Sequence, residues 1–166
     1  MCGIVGLYLK DSTLGDQLGA VFEPMLLAMA ERGPDSAGFA VYGAQAAPGA
    51  LRFSLQCDAQ ALDWDRLVDA LTTSLDPRAT CEADGSAAVI GTHCGERAFR
   101  DWLAQEAPQA TIMSVGSSIR IVKGVGHPAR VAERFRLRTL TGTHMIGHTR
   151  MATESAVSLA GSHPFS

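Results

Sequence analysis

Short apolar runs and one longer periodic stretch organise the first 43 residues of the chain. Cys2 to Leu9 (CGIVGLYL) is β-branched, apolar and punctuated by glycine, which predicts a buried strand beginning at the second residue. From Leu14 to Glu31, the residues Leu18, Val21, Phe22, Met25, Leu26 and Met29 recur at three- and four-residue steps, the spacing of a helix with one buried face. Pro24 interrupts that run and is expected in the first turn of the main helix, where its missing N–H is tolerated. RGPDSAG (Arg32 to Gly38) reads as a turn-rich segment leading into the strand FAVYG (Phe39 to Gly43).

An Ala/Gly/Pro-rich connection from Ala44 to Ala50 marks a subdomain edge. Between about Leu51 and Leu140 the pattern alternates. A helix is predicted near Asp63 to Leu75, a strand at Ala87 to Gly91, a helix from Glu96 to Gln105, strands at Thr111 to Val115 and Ile119 to Lys123, and a helix from Pro128 to Phe135. Such alternation points to an inserted α/β subdomain at about 51–140. His144 to His148 begins another strand, and Thr149 to Ser155 reads as a polar bend.

Composition narrows the function classes. With 166 residues and 46% apolar content the chain can bury one core, and 14 basic against 17 acidic residues lack the surplus of positive charge that nucleic-acid binding needs. No apolar run approaches the roughly 18 to 20 residues of a membrane span, and no basic segment precedes an apolar signal core. A soluble, cytoplasmic protein is expected. Its four cysteines have neither the paired spacing of a zinc site nor the density of a disulfide scaffold, and read as reduced thiols.

A cysteine at position 2 becomes the first residue once Met1 is removed, which joins a thiol and a free α-amine on one residue. The thiol, with an ordinary pKa near 8.5, is a nucleophile in need of a base, and an α-amine titrating at about 7.7 to 8.0 can serve as one. The strand that follows would hold this terminus in place. By position alone, such a cysteine can equally be incidental, and Arg32 and Arg150 can be ordinary surface cations. Asp35 and Ser36 read as turn formers. His148 alternates with Ile146 and suits a structural strand histidine. His93 and Cys94 lack further ligands at metal-binding spacing.

Three segments change that weighing. CGIVG, RGPDSAG and GHTRMAT occur in this order, and together they resemble the class II glutamine amidotransferases, which are N-terminal-nucleophile hydrolases. The wording RGPDSAGFAVYG and GHTRMATES looks most like stand-alone amidotransferase subunits of glutamate-synthase-type or N-methylglutamate-synthase-type complexes. The resemblance implies an α+β fold, the αββα four-layer sandwich, incomplete here and carrying the α/β insertion. It implies glutamine as substrate, no cofactor and no metal, and delivery of ammonia to a synthase subunit. Cys2 corresponds to the nucleophile. Arg150 corresponds to the arginine that grips the α-carboxylate of glutamine, a planar anion matched by a guanidinium fork. Thr153 corresponds to a threonine of the same pocket, and Arg32 to a site-shaping arginine beside the cysteine.

The chain also departs from the family pattern. An Asn-Gly oxyanion segment and a substrate-binding aspartate follow the arginine in relatives, and Ser166 comes before either, so the chain alone is expected to be inactive. The 118 positions between Arg32 and Arg150 exceed those of compact relatives, mostly through the insertion. Met151 stands where tryptophan is frequent and Glu154 where histidine is. Two rivals accompany this reading: an amidase acting on another amide, and a non-catalytic glutamine-sensing or regulatory subunit.

Overall fold

A computed structural model describes residues 2–43, 45–57 and 62–151. In chain order the elements are β1 (Gly3–Tyr8), α1 (Leu18–Leu27), β2 (Ser36–Tyr42), β3 (Leu51–Gln56), α2 (Trp64–Ser74), β4 (Thr80–Asp84), β5 (Ala87–Thr92), α3 (Glu96–Glu106), β6 (Thr111–Gly116), β7 (Ile119–Val125), α4 (Pro128–Arg134) and β8 (His144–Arg150). Among the described residues the fold is mixed α+β, with two antiparallel four-stranded sheets and four α-helices. The chain divides into two compact units, Met1–Gly43 with Ile121–Ser166, and Ala44–Arg120.

The first unit is built on the sheet β1-β8-β2-β7. Strand alternation gives its two faces different partners. Leu18, Phe22 and Leu26, spaced by four along α1, are fully buried. A side chain at Gly147 would collide with the Phe22 and Leu26 rings and methyls at 2.8–2.9 Å, so glycine there lets α1 lie close against β8. Phe39, opposite Gly147, meets Phe135 edge-on beyond the end of α4, with ring centroids 6.4 Å apart. The opposite face exposes Ile4 (73%), Tyr8 (68%) and Ile146 (44%).

Pro24 lies inside α1 rather than in its first turn. The buried Leu18–Phe22–Leu26 stripe carries the helix past the proline, which removes the bond that would run to the Ala20 carbonyl. Val21, expected on the buried stripe, is half-exposed. Ser36 begins β2, so the strand starts within the segment expected to turn.

In the second unit the order β3-α2-β4-β5-α3-β6 feeds a sheet arranged β4-β5-β3-β6, with each neighbouring pair antiparallel. That is the split β-α-β topology of ferredoxin-like units. Its sheet is therefore antiparallel, where alternation suggested an α/β layer, and it includes two strands, β3 and β4, that were not expected. LRFSLQ does alternate, but it follows a Gly/Pro-rich tract; TCEAD carries acidic residues that disfavour strands. Pairing with β5 through a two-residue turn rescues β4, with Gly85 in the left-handed region at φ +58°. The expected insertion ran to about 140, whereas this unit ends at Arg120, because β7 and α4 pack with the first unit's sheet and core.

Phe53 stacks on Phe99 at 3.9 Å between ring centroids, amid Trp64, Leu67, Leu71, Ile90 and Leu103. Asp63 caps α2 by accepting the Arg66 N–H at 3.0 Å. Among the described residues, no helix is long and apolar enough to cross a membrane.

Candidate active site

Antiparallel pairing of β1 with β8 runs from Gly3↔Thr149 to Tyr8↔His144. Carried back one residue, this register sets Cys2 opposite Arg150, and directly opposed residues project from the same sheet face. On the other side of β8, Ser36 pairs with Arg150. Gly3 and Thr149, 146 positions apart in the chain, are thereby paired on neighbouring strands, with Cys2 and Arg150 next to them.

Backbone proximity holds this corner together. A Cβ on Gly3 would lie 2.7 Å from Met29 Cβ and 2.8 Å from Thr149 Oγ1. A Cβ on Gly33 would fall on the backbone of Thr149 and Arg150. These two glycines let the β1 terminus and the turn before β2 close on the end of β8. Thr149, fully buried, donates its hydroxyl to the Met29 carbonyl at 2.9 Å. The Asp35 N–H donates to the Arg150 carbonyl at 3.0 Å, and Pro34 bridges Arg150. The main chain of Arg150 is thus held by the Gly33–Asp35 turn and by its pairing with Ser36 of β2.

Of the expected site residues, Cys2 is exposed and carries a free thiol, and Arg150 is half-buried. Arg32 is exposed at the end of a short 3₁₀ turn, Ala30–Arg32, and its N–H donates to the carbonyl of Met29, the residue packed on Gly3. Thr153 lies outside the described residues. Gly3, Gly33 and Thr149 were not singled out from the sequence, although the glycines inside the CGIVG and RGPDSAG segments were visible as such.

The other three cysteines have different surroundings. Cys57 is buried. Burial, with repulsion from Asp65 and Glu82, pushes the Cys81 thiol above its ordinary range, which disfavours its nucleophilic form. Cys94 lies within sulfur hydrogen-bonding distance (3.2 Å) of the Thr92 hydroxyl, in a network centred on Asp76. That carboxylate accepts the His93 N–H at 2.6 Å, the Thr92 hydroxyl at 2.8 Å and the Arg78 N–H at 3.0 Å. The His93 bond, followed by those from Arg78 and Thr92, outweighs desolvation and holds Asp76 well below the usual carboxylate range. His93 and Cys94 thus belong to a structural staple, and no group of three His, Cys, Asp or Glu side chains among the described residues is placed to hold a metal.

Lys123 is a buried cation that sequence patterning did not flag. Burial lowers its pKa. A Cβ on neighbouring Gly124 would press on Val131 of α4, so Lys123 leaves the other face of β7, the face of His148 and Arg150.

No protein-family model matches the chain. Over 167 residues, all of this chain, it is 45% identical to the Glutamine amidotransferase-like protein GlxB of Rhizobium meliloti (strain 1021), covering 55% of that protein. Over 176 aligned positions, 99% of this chain, it is 31% identical to a Putative glutamine amidotransferase of Methanothermobacter thermautotrophicus, covering 56% of it. The chain therefore spans little more than half the length of these relatives. The similarity to these two proteins, named as glutamine amidotransferase-like and as a putative glutamine amidotransferase, runs along all or nearly all of this chain.

Proposed function

We propose that this chain belongs to a class II, N-terminal-nucleophile glutamine amidotransferase, of the kind that serves a glutamate-synthase-type complex in the cytoplasm. The observation that supports this is the β1–β8 register, which ends at Gly3↔Thr149, so that the exposed Cys2 precedes the strand end adjoining Arg150. After removal of Met1, the Cys2 sulfur attacks the side-chain amide carbon of glutamine. Its thiol proton passes to the α-amine and on to the departing nitrogen, so ammonia leaves and a thioester remains. Water then cleaves the thioester to glutamate and regenerates the thiol. Arg150 holds the α-carboxylate through paired N–H donors, with Thr153 in the same pocket, and Arg32 contributes a cation beside the nucleophile.

Ammonia released this way protonates in bulk water and loses its nucleophilicity, which favours delivery to a synthase subunit. The αββα sandwich belongs to the same proposal. α1 covers one face of the first sheet, and the face bearing Ile4, Tyr8 and Ile146 suits a second sheet.

The test uses the full-length protein, a glutamine-directed diazo ketone and intact-protein mass measurement. A single adduct on Cys2, with Met1 absent, is expected, and Cys2→Ser should lower glutamine turnover by about a thousandfold or more. An adduct on Cys57, Cys81 or Cys94, or a retained Met1 on active protein, would reject the assignment. Faster turnover of another amide than of glutamine would favour a different amidase.

A further inference from the structure

Beside Arg150 lies a buried group for which the glutamine reading has no role. Ser36 opens β2 directly opposite Arg150, so the two side chains leave the same sheet face with Cβ atoms expected about 4.5–5.5 Å apart. Ser36 is fully buried, and its hydroxyl has no hydrogen-bond partner among the described residues. An unsatisfied buried hydroxyl destabilises a fold, and alanine would occupy the same space without that cost. A position that tolerates such a penalty is a candidate for a task that needs the oxygen.

Geometry narrows that task. The Arg150 main chain is fixed by the Asp35 N–H and the Pro34 bridge, so any re-aiming of its guanidinium comes from the side chain. A guanidinium has five N–H donors, and a bidentate grip on one carboxylate uses two. We infer that Ser36 is a positioning residue for Arg150: its Oγ accepts one of the remaining guanidinium N–H groups when Arg150 turns to meet the α-carboxylate of glutamine. This rests on the glutamine reading and assigns to Ser36 a share in substrate selection. The hydroxyl gains its partner in the loaded site, so its benefit appears in binding and its cost in the empty fold.

Full-length wild type, Ser36→Ala and Ser36→Thr, compared in glutamine turnover, thermal unfolding and Cys2 alkylation by iodoacetamide, test the idea. Iodoacetamide has no α-carboxylate and should be blind to Arg150 aiming. For Ser36→Ala the expected result is a KM for glutamine raised about tenfold with kcat within about twofold. Iodoacetamide should react at the wild-type rate, and the melting temperature should be unchanged or higher. Ser36→Thr, which keeps the hydroxyl, should recover most of the KM. An unchanged KM, a parallel loss of iodoacetamide reactivity, or a lowered melting temperature in Ser36→Ala would overturn the inference. Wild type that neither hydrolyses glutamine nor takes the diazo ketone on Cys2 would instead remove the glutamine reading, and this assignment with it.

Discussion

Both compact units place two helices on a four-stranded antiparallel sheet, yet different residues make each arrangement possible. In the second unit, large side chains fill the space between sheet and helices, with Phe53 on Phe99 at its centre and Trp64 tied to the β4–β5 turn through its indole N–H and the Gly85 carbonyl at 2.9 Å. In the first unit, the candidate site depends on side chains that are missing. Gly3 admits the side chains of Met29 and Thr149, and Gly33 the backbone of Thr149 and Arg150, where any Cβ would collide, and Gly147 lets α1 settle onto β8. One unit gains its stability from burial, and the other gains its site from close approach of main chain. Packing defects should therefore act on stability in one region, and added atoms should act on chemistry in the other.

The sharpest way to break that contrast is Phe99→Ala. Removing a fully buried ring should destabilise the second unit by about 4 kcal/mol, seen as lost amide protection across β3, β5 and α3 in hydrogen exchange of the whole protein. If protection falls equally in β1 and β8, the units unfold as one body and the contrast fails. Next in size is Gly33→Ala, expected to cost about 3 kcal/mol in the first unit, because the new methyl meets Arg150 main chain rather than a yielding side chain. Glutamine turnover should drop with it while exchange in α2 and α3 stays as in wild type. Normal turnover in this variant would mean that the Gly33 approach does not shape the site.

Asp76→Asn should have the smallest effect, about 2 kcal/mol on the second unit, through weakened bonds to His93, Thr92 and Arg78. Its pH dependence gives a second readout. Because the folded pKa lies below the ordinary value of about 3.9, the carboxylate contributes its full stabilisation above that value and loses it as the pH falls further toward the folded pKa. Wild type should thus lose protection around the β5–α3 junction below about pH 4, and Asp76→Asn should show a flatter profile there. Identical acid profiles would assign the acid sensitivity to other groups.

Much of this fold is legible along the chain. Periodicity located α1, α2, α3 and α4, and six of the eight strands among the described residues stand out in the sequence. β3 and β4 do not, since an acidic strand such as TCEAD is stabilised by pairing to β5 rather than by its own preferences. Pro24 misled for a related reason, as the burial of Leu18, Phe22 and Leu26 overrides one lost hydrogen bond.

Residue types alone specified the chemical vocabulary: a second-position cysteine, two arginines in motif-like segments, and glycines beside each. Which of these groups stand together was settled only by tertiary structure. The β1–β8 register pairs Gly3, the neighbour of Cys2, with Thr149, the neighbour of Arg150, and strand pairing moves Ser36 from an expected turn to a buried place opposite that arginine. Strand pairing joins residues far apart in the chain through backbone hydrogen bonds that no side-chain pattern encodes, and a slip of one residue would send every one of these groups to the other face.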